Sequence, residues 1–465
     1  MDAADKRSKG LRILFVNQFY SPDVAATGQL LADMAEEQVK QGHEVHVVCS
    51  RHTYVGNKKI YPDNQIINGV HVHRISATGF GRERFWGRAM DYLSFHLWAW
   101  RRILALPHMD VCVSLTTPPF IGLIGAFLRG RKFGRLVLWN MDLYPEVLAA
   151  YKVVKKKGWL YRLLAKVNKY VYSRADQIIS LGEVMTQRLI GAGAKKEKIV
   201  TVHNWVPGEV IEPIPVQSSR ARDNWNLNGQ VTVMYSGNLG RGHDLNTVVH
   251  AVSQLDKQYN VRLVFVGQGS MAKPLRQLCS ELEMDNVDFH EPQPLSFLAD
   301  SMAAGHIHLV SQRPGTEGLI LPCKLYGIMA AGRCVLYNGP GNCEIARIVR
   351  ASESGVIAPA GNIRALAGAL KLLVKDKQLR ENMGRRARRY YQNHFGRERS
   401  MAVISEVITG KRLTQENEAP EQQIQQEIKA RLDLQPPIGQ YASASSVIPS
   451  VQHFADTPTP EKTWV

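Results

Sequence analysis

Lys324 follows Pro322 by two residues and Glu317 by seven in the stretch SQRPGTEGLILPCKLYGIMAAG. Proline is favoured at the first helical position, so this stretch predicts an abrupt helix start at Pro322. The first amides of a helix have no intrahelical partner and face, with the positive end of the dipole, whatever anion docks there. Lys324 adds a full charge beside them. Glu317 is acceptor-only and suits hydroxyls rather than phosphates. Together they fit a nucleotide-sugar, with the diphosphate on the helix end and the sugar hydroxyls on the acid. An ordinary helix burying Leu325, Ile328, Met329 and Ala330 would carry the same pattern, so neighbouring residues must decide.

Gly267 and Gly269 follow an apolar run, where a backbone free of side chains lets a nucleotide approach or simply turns tightly. Lys273, a turn further on, either reaches a phosphate or is solvated. In SGNLGR, Gly237 and Asn238 precede Arg241, the loop's one strong cation. Glu344, in GNCEIARIV, either takes ribose hydroxyls or serves as a favourable charge at a helix N-terminus. In the first half, Gly28 ends a polar loop before a helical pattern, where amides could meet a phosphate, with Asp23 and Thr27 close by. Asp142 and Glu146, in WNMDLYPEV, are acids suited to orienting a substrate; Asp142 could equally cap a turn. His203 and Asn204 read as lining a cleft or capping.

The elements needed to position these residues are legible. Leu11–Val16, a helix over 28–41 and His43–Cys49 form a strand-helix-strand unit. Strands follow at 70–75, 111–115, 135–139, 177–180 and 199–202. After a connector rich in Pro, Ser and Arg the alternation restarts, with strands at 231–235, 261–266, 287–290, 306–310, 334–337 and 355–358 and closing helices at 363–375 and 379–394. This is an α/β chain of two doubly wound domains, whose strand carboxyl ends would share a cleft. The expected division is a polar extension (1–10), an acceptor-side domain (11–206), a linker (207–228), a nucleotide-sugar domain (229–395), a helix returning to the first domain (396–410) and a disordered tail (411–465) with a short helix at 421–432.

At 465 residues, with 21% charged and 45% hydrophobic residues, the chain has material for two cores. Six scattered cysteines without a C-x-x-C pair indicate neither a disulfide framework nor a zinc site. No apolar run is long enough to span a bilayer, which gives a cytoplasmic expectation. The net charge is +17, and residues 1–210 hold 30 Lys and Arg against 17 Asp and Glu. Basic and aromatic residues interleave from Phe85 to Leu106, as in a helix lying on an anionic membrane, although a core helix with a basic edge reads the same way. For the domain as a whole, attraction to anionic lipid explains the charge better than nucleic acid, for which there is no motif.

Six segments in order, FVNQFYSPDVAATGQLLADMAEEQVKQGHEVHVV, WNMDLYPEV, VHNW, YSGNLGRGHDL, FVGQGS and LILPCKLYGIMAAG, resemble glycosyltransferase family 4 over residues 11–400. The nearest likeness is to bacterial exopolysaccharide and O-antigen enzymes, including colanic-acid and N-acetylfucosamine transferases. The resemblance implies a GT-B fold and a retaining transfer of a hexosyl or N-acetylhexosaminyl group, without an obligatory metal or cofactor. The donor would be a nucleoside diphosphate sugar, a UDP-sugar by preference, and the acceptor a polyprenyl-diphosphate-linked saccharide at the inner face of the plasma membrane. It implies Asp142, Glu317 and Lys324 as catalytic and Gly237, Asn238, Arg241, Gly267, Gly269, Lys273, Gly318, Pro322, Leu325 and Glu344 as further donor contacts. Asp23, Thr27, Gly28 and Glu146 would serve the acceptor.

The sequence departs from the family pattern in three places. Asn238 and His243 stand where many members have an arginine and a lysine. The paired glutamates fall on Leu319 and Gly327, with Glu317 two residues from the first. Trp139 and Met141 occupy the places of a histidine. These departures keep two alternatives open, a GT-B UDP-sugar epimerase and a catalytically silent sugar-nucleotide-binding scaffold.

Overall fold

The computed structural model describes residues 10–23, 25–53, 61–78, 85–206 and 211–410. The expected tail 411–465, its helix at 421–432 and all but the last residue of the N-terminal extension lie outside these. The first domain runs β1 (Arg12–Val16), α1 (Ala26–Lys40), β2 (Glu44–Ser50), β3 (Asn64–Ile67), β4 (Val70–Ile75), α2 (Phe85–Ala105), β5 (Met109–Ser114), α3 (Gly122–Leu128), β6 (Phe133–Trp139), α4 (Glu146–Ala150), α5 (Trp159–Arg174), β7 (Gln177–Ser180), α6 (Glu183–Gly191) and β8 (Ile199–Thr201). The second runs α7 (Arg220–Asn224), β9 (Val231–Ser236), α8 (Leu245–Ser253), β10 (Val261–Val266), α9 (Ala272–Glu281), β11 (Val287–His290), α10 (Leu298–Ala303), β12 (Ile307–Ser311), α11 (Lys324–Ala330), β13 (Cys334–Gly339), α12 (Glu344–Ser352), β14 (Gly355–Pro359), α13 (Ile363–Lys375) and α14 (Lys377–His394), followed by α15 (Arg397–Thr409).

The first sheet has the order β3-β4-β2-β1-β5-β6-β7-β8 and the second β11-β10-β9-β12-β13-β14. Every pairing is parallel except that of β3 with β4. Strands covered by helices on both faces need apolar side chains on both faces, which is why β1 carries the run ILFV after Arg12 and β10 the run LVFV after Arg262. Capping side chains fix where the helices begin. Asp244 accepts from the Thr247 hydroxyl (2.7 Å), Asn362 from the Ala365 amide (2.9 Å) and Asp376 from the Leu379 amide (2.8 Å).

Helix α15 crosses back onto the first domain and buries Met401, Ile404, Val407 and Ile408 in its core. Burial of four such side chains is worth about 1.5–3 kcal/mol each before the entropy of ordering them. Arg397 grips Asp33 with two nitrogens (2.7 and 2.9 Å), Asp33 also accepts from the Trp205 indole (2.7 Å), and Gln38 donates to Ser405 (2.7 Å). Of the expected linker 207–228, residues 211–219 contain the buried Ile211 and a short 3-10 helix at Val216–Ser218. From Arg220 on the linker belongs to the second domain, where Arg220 pairs with Asp300 (2.6 Å) and the buried Arg222 donates to Thr232 and to the Ala304 carbonyl (both 3.0 Å).

Candidate functional site

Chain order reverses between β1 and β5 in the first sheet and between β9 and β12 in the second. At such switch points the loops leaving neighbouring strands diverge and open a crevice. The loops after β6 and β12 meet across it: Leu143 donates its amide to the Leu319 carbonyl (2.9 Å), and Asp142 bridges Ile320 in antiparallel fashion. The predicted donor segment therefore faces the opening between the domains.

Helix α11 begins at Lys324, not at Pro322, and Pro322 is buried in the turn before it. The Leu325 amide already bonds the Pro322 carbonyl (3.3 Å) and the Tyr326 amide the Cys323 carbonyl (3.2 Å). Tight first-turn bonds have used donors expected to point at phosphate, so the ammonium, rather than an amide row, leads this site. Lys324 Nζ donates to the Tyr235 hydroxyl (2.8 Å), lies 4.4 Å from the centre of that ring and sits 3.3 Å from His243 Nε2. Its stem passes Gly237, where a Cβ would stand 3.2 Å from Lys324 Cε. Desolvation pulls the Lys324 pKa down to about 7. Desolvation, then the Lys324 charge, lowers that of His243 to about 3, so the imidazole is neutral and its Nδ1 donates to the Ser311 carbonyl (2.6 Å).

Across the crevice, the Asp142 amide accepts support from Thr116, donating to its hydroxyl (3.0 Å), while the carboxylate takes no hydrogen-bond partner among the described residues. Burial raises its pKa to about 6. With Asn140, Tyr144, Asn168 and Tyr172 it lines a pocket in the first domain. Glu344, at the start of α12, reaches over to the first domain: Oε2 accepts from the Val184 amide (3.1 Å), and a Cβ on Gly182 would lie 2.6 Å from Cδ of its carboxyl. Its other oxygen is buried with no hydrogen-bond partner among the described residues, and burial raises its pKa. Among the described residues no group of three or more His, Cys, Asp and Glu could hold a metal ion.

Residues 26–205 match the family described as a glycosyl transferase 4-like domain, and residues 217–390 match the glycosyl transferases group 1. The chain belongs to glycosyltransferase family 4. It is similar to WbjE of Pseudomonas aeruginosa, named as a glycosyltransferase, with 27% identity over 56% of this chain and 64% of that one. It is also similar to WcaI of Escherichia coli K12, named for colanic acid biosynthesis, with 22% identity over 80% of this chain and 98% of that one. Among solved structures, sucrose-phosphate synthase of Thermosynechococcus elongatus (TM-score 0.69, 17% identity, 85% of this chain and 98% of that one) has the same fold. So does HepE of Anabaena in complex with UDP (TM-score 0.65, 15% identity, 86% and 100%). The two facing parallel-sheet domains are the GT-B fold.

Within this family 4 chain the other predicted residues fall as follows. Gly237, Asn238 and Arg241 follow β9 at the crevice, and Arg241 is exposed without a partner among the described residues. Lys273 is exposed on α9. One oxygen of the Glu317 carboxylate is held in its own turn, Oε1 accepting from the Gly315 amide (3.0 Å), and its carbonyl accepts from Arg188 of α6 (3.2 Å). Gly318, at φ +69°, packs against Val184, whose carbonyl oxygen would lie 2.7 Å from a Cβ there. Leu325 is core. Gly28 does not end the loop but sits in the first turn of α1, with its amide spent on the Ala25 carbonyl (2.9 Å) and its Cα against Phe19, so that amide is closed to phosphate. Thr27 is beside it in α1, and Asp23 is buried in the β1 loop. The Glu146 carboxylate receives the Tyr161 hydroxyl (3.4 Å).

Sequence reasoning missed Arg313 and Tyr151. The Arg313 amide bonds the Gly242 carbonyl (2.9 Å), and the Tyr151 hydroxyl lies against Gly242, 2.7 Å from where a Cβ would be. Arg313 was findable, since it lies two residues past the carboxyl end of β12; Tyr151 carries no such signal.

Gly267 and Gly269, at φ +139° and +157°, let the β10 turn nest on the β9 loop: a Cβ on Gly267 would run into the Gly237 carbonyl and one on Gly269 into that of Leu239. Their first duty is to hold the donor loop. Gly267→Ala should destabilise the second domain by about 2 kcal/mol or more, against about 1 kcal/mol for Gly361→Ala, where φ is positive but the space is open. Thermal unfolding of the two variants makes the comparison, and equal losses would show that the loop contact is unimportant.

Proposed function

We propose that the protein transfers a hexosyl or N-acetylhexosaminyl group from a UDP-sugar, with retention, to a polyprenyl-diphosphate-linked saccharide at an anionic membrane surface. The product would feed a cell-surface polysaccharide. The observation that carries this reading is the placement of one desolvated ammonium, Lys324, and one carboxylate without a hydrogen-bond partner among the described residues, Asp142, both near enough to Cys323 to act on its thiol electrostatically. Departure of a nucleoside diphosphate builds negative charge on its terminal phosphate, and a cation already held in place stabilises it without reorganisation. Asp142 suits the acceptor hydroxyl, whose proton it can hydrogen-bond as the new bond forms. Arg241 and Arg313 extend the cationic side, and the buried second oxygen of Glu344 suits a ribose hydroxyl.

Related proteins support the substrate classes. HepE has been seen with UDP and UDP-glucose, and WcaI carries a colanic acid biosynthesis name. No helix among the described residues is long and apolar enough to cross a membrane, so contact with a lipid-linked acceptor would be made from the surface.

The deciding experiment offers the purified full chain a panel of labelled UDP-sugars with polyprenyl-diphosphate-linked saccharides, with and without EDTA. Labelled lipid product with the donor's anomeric configuration, formed equally in EDTA, is the expected result. An altered sugar formed without acceptor would identify an epimerase, and tight UDP binding with no turnover a scaffold.

A further inference from the structure

Helix α5 fully buries only Val171 and Tyr172. At about 100° per residue, Trp159, Leu163 and Tyr170 fall within roughly 40° of one another on its outer side, with Lys166 on the same line. Trp159 is 76% exposed. Helix α2 has a core face, Phe95, Ala99 and Ile103, and an opposite outer line, Met90, Leu93, Leu97 and Leu104; Leu97 is 68% exposed. The two helices are bridged by α3: the exposed Phe127 ring lies 6.1 Å from the partly buried Trp100 of α2 and 5.5 Å from Tyr170 of α5. An apolar surface this extended on a soluble face marks an interaction site.

We propose that the outer faces of α5 and α2 form one docking surface for an anionic lipid bilayer, with the Trp159 line of α5 entering the headgroup region. Charge decides the occupant. Residues 151–174 carry eight Lys or Arg and no Asp or Glu. A second copy of this chain would set cations against cations, whereas an anionic headgroup layer satisfies them while the apolar line enters the acyl boundary. The inner side of α5 then meets the acceptor pocket. Asn168 donates to the Tyr144 carbonyl, and Tyr161 to Glu146 (3.4 Å). Tyr144, Asn168 and Asp142 line one pocket. A saccharide hanging from a lipid headgroup would thus enter beside the helix that touches the lipid. The acceptor part of this inference rests on the transferase reading, and the docking part stands without it.

The test is flotation of the full chain with phosphatidylcholine vesicles containing or lacking phosphatidylglycerol, together with calorimetric UDP binding. Trp159→Ser/Leu163→Ser is compared with wild type. The expected result is flotation with the anionic vesicles only, weakened by salt and by about tenfold or more in the double variant, with UDP affinity and melting temperature unchanged. Leu93→Ser/Leu97→Ser should weaken flotation in the same direction. Docking is overturned if wild type ignores anionic vesicles, floats equally with neutral ones, or floats as well after the α5 substitutions. It is also overturned if the substitutions convert a dimer to a monomer without altering flotation. Loss of UDP binding by wild type itself would instead sink the donor reading and leave the docking result in force.

Discussion

Lys324→Met should lower kcat/KM about 10²- to 10³-fold, the cost of removing one preorganised group that stabilises developing anionic charge. Methionine keeps the unbranched stem that passes Gly237 and loses only the ammonium, so the fold should survive. Arginine should not rescue, because the ammonium is held between the Tyr235 ring (4.4 Å to its centre) and His243 Nε2 (3.3 Å), and a longer side chain with a planar guanidinium cannot place its charge there without displacing them. Stability should move the other way. The folded-state pKa of about 7 lies below the 10.5 of a free lysine, so the unfolded chain takes up a proton that the fold resists. The resulting penalty is absent above about pH 10.5, grows as pH falls towards 7 and is constant below that. Lys324→Met should therefore match wild type at high pH and melt slightly higher at pH 6, with the gain kept small by the partial exposure of the stem. A variant that melts lower at pH 6 while keeping donor affinity would show that Lys324 is structural.

How much of this was legible depended on whether a signal was local. Short apolar-rich segments bounded by polar or turn residues marked the strands, and Val70–Ile75, Gln177–Ser180, Val261–Val266 and Val287–His290 lie where those segments place them. The strand Asn64–Ile67 was invisible because it is a half-exposed edge with a polar start, paired antiparallel to β4. The helix end at Pro322 was placed two residues early because proline is as comfortable just before a helix as inside its first turn. Glu317 looked like a free acid because sequence cannot show that a nearby amide, that of Gly315, holds one of its oxygens.

The outer faces of α2 and α5 pose a different difficulty. A line of apolar residues at helical spacing reads the same whether it meets a core or a lipid, and only the packed fold shows that α2 has one of each. The crevice was the least legible part. Tyr151 against Gly242 and Glu344 against Val184 join residues far apart in sequence and in different domains. No spacing rule reports such contacts, although Asp142 and Gly237 could be singled out because each follows the carboxyl end of a strand.

Asp142→Asn is the second substitution with a large expected effect, and its pH profile separates it from the first. If the carboxylate receives the acceptor hydroxyl proton, the amide should lower kcat by about 10²- to 10⁴-fold while leaving UDP affinity intact. Burial holds this acid at about pKa 6 and Lys324 at about 7, and the reaction needs the first ionised and the second protonated. In wild type, kcat/KM should thus rise through about pH 6 and fall through about pH 7, a narrow bell belonging to the empty enzyme. A bound diphosphate favours the ammonium and lifts its pKa, so the alkaline limb of kcat should move to higher pH while the acid limb stays near 6. Asp142→Asn should erase the acid limb, and Lys324→Met the alkaline one. The Thr116 hydroxyl that accepts from the Asp142 amide fixes the loop without touching the carboxylate, so Thr116→Val should lower the rate but keep both limbs. An acid limb that persists in Asp142→Asn would transfer the proton-handling role to another group in the crevice, of which the buried Glu344, its pKa also raised, is the first to examine.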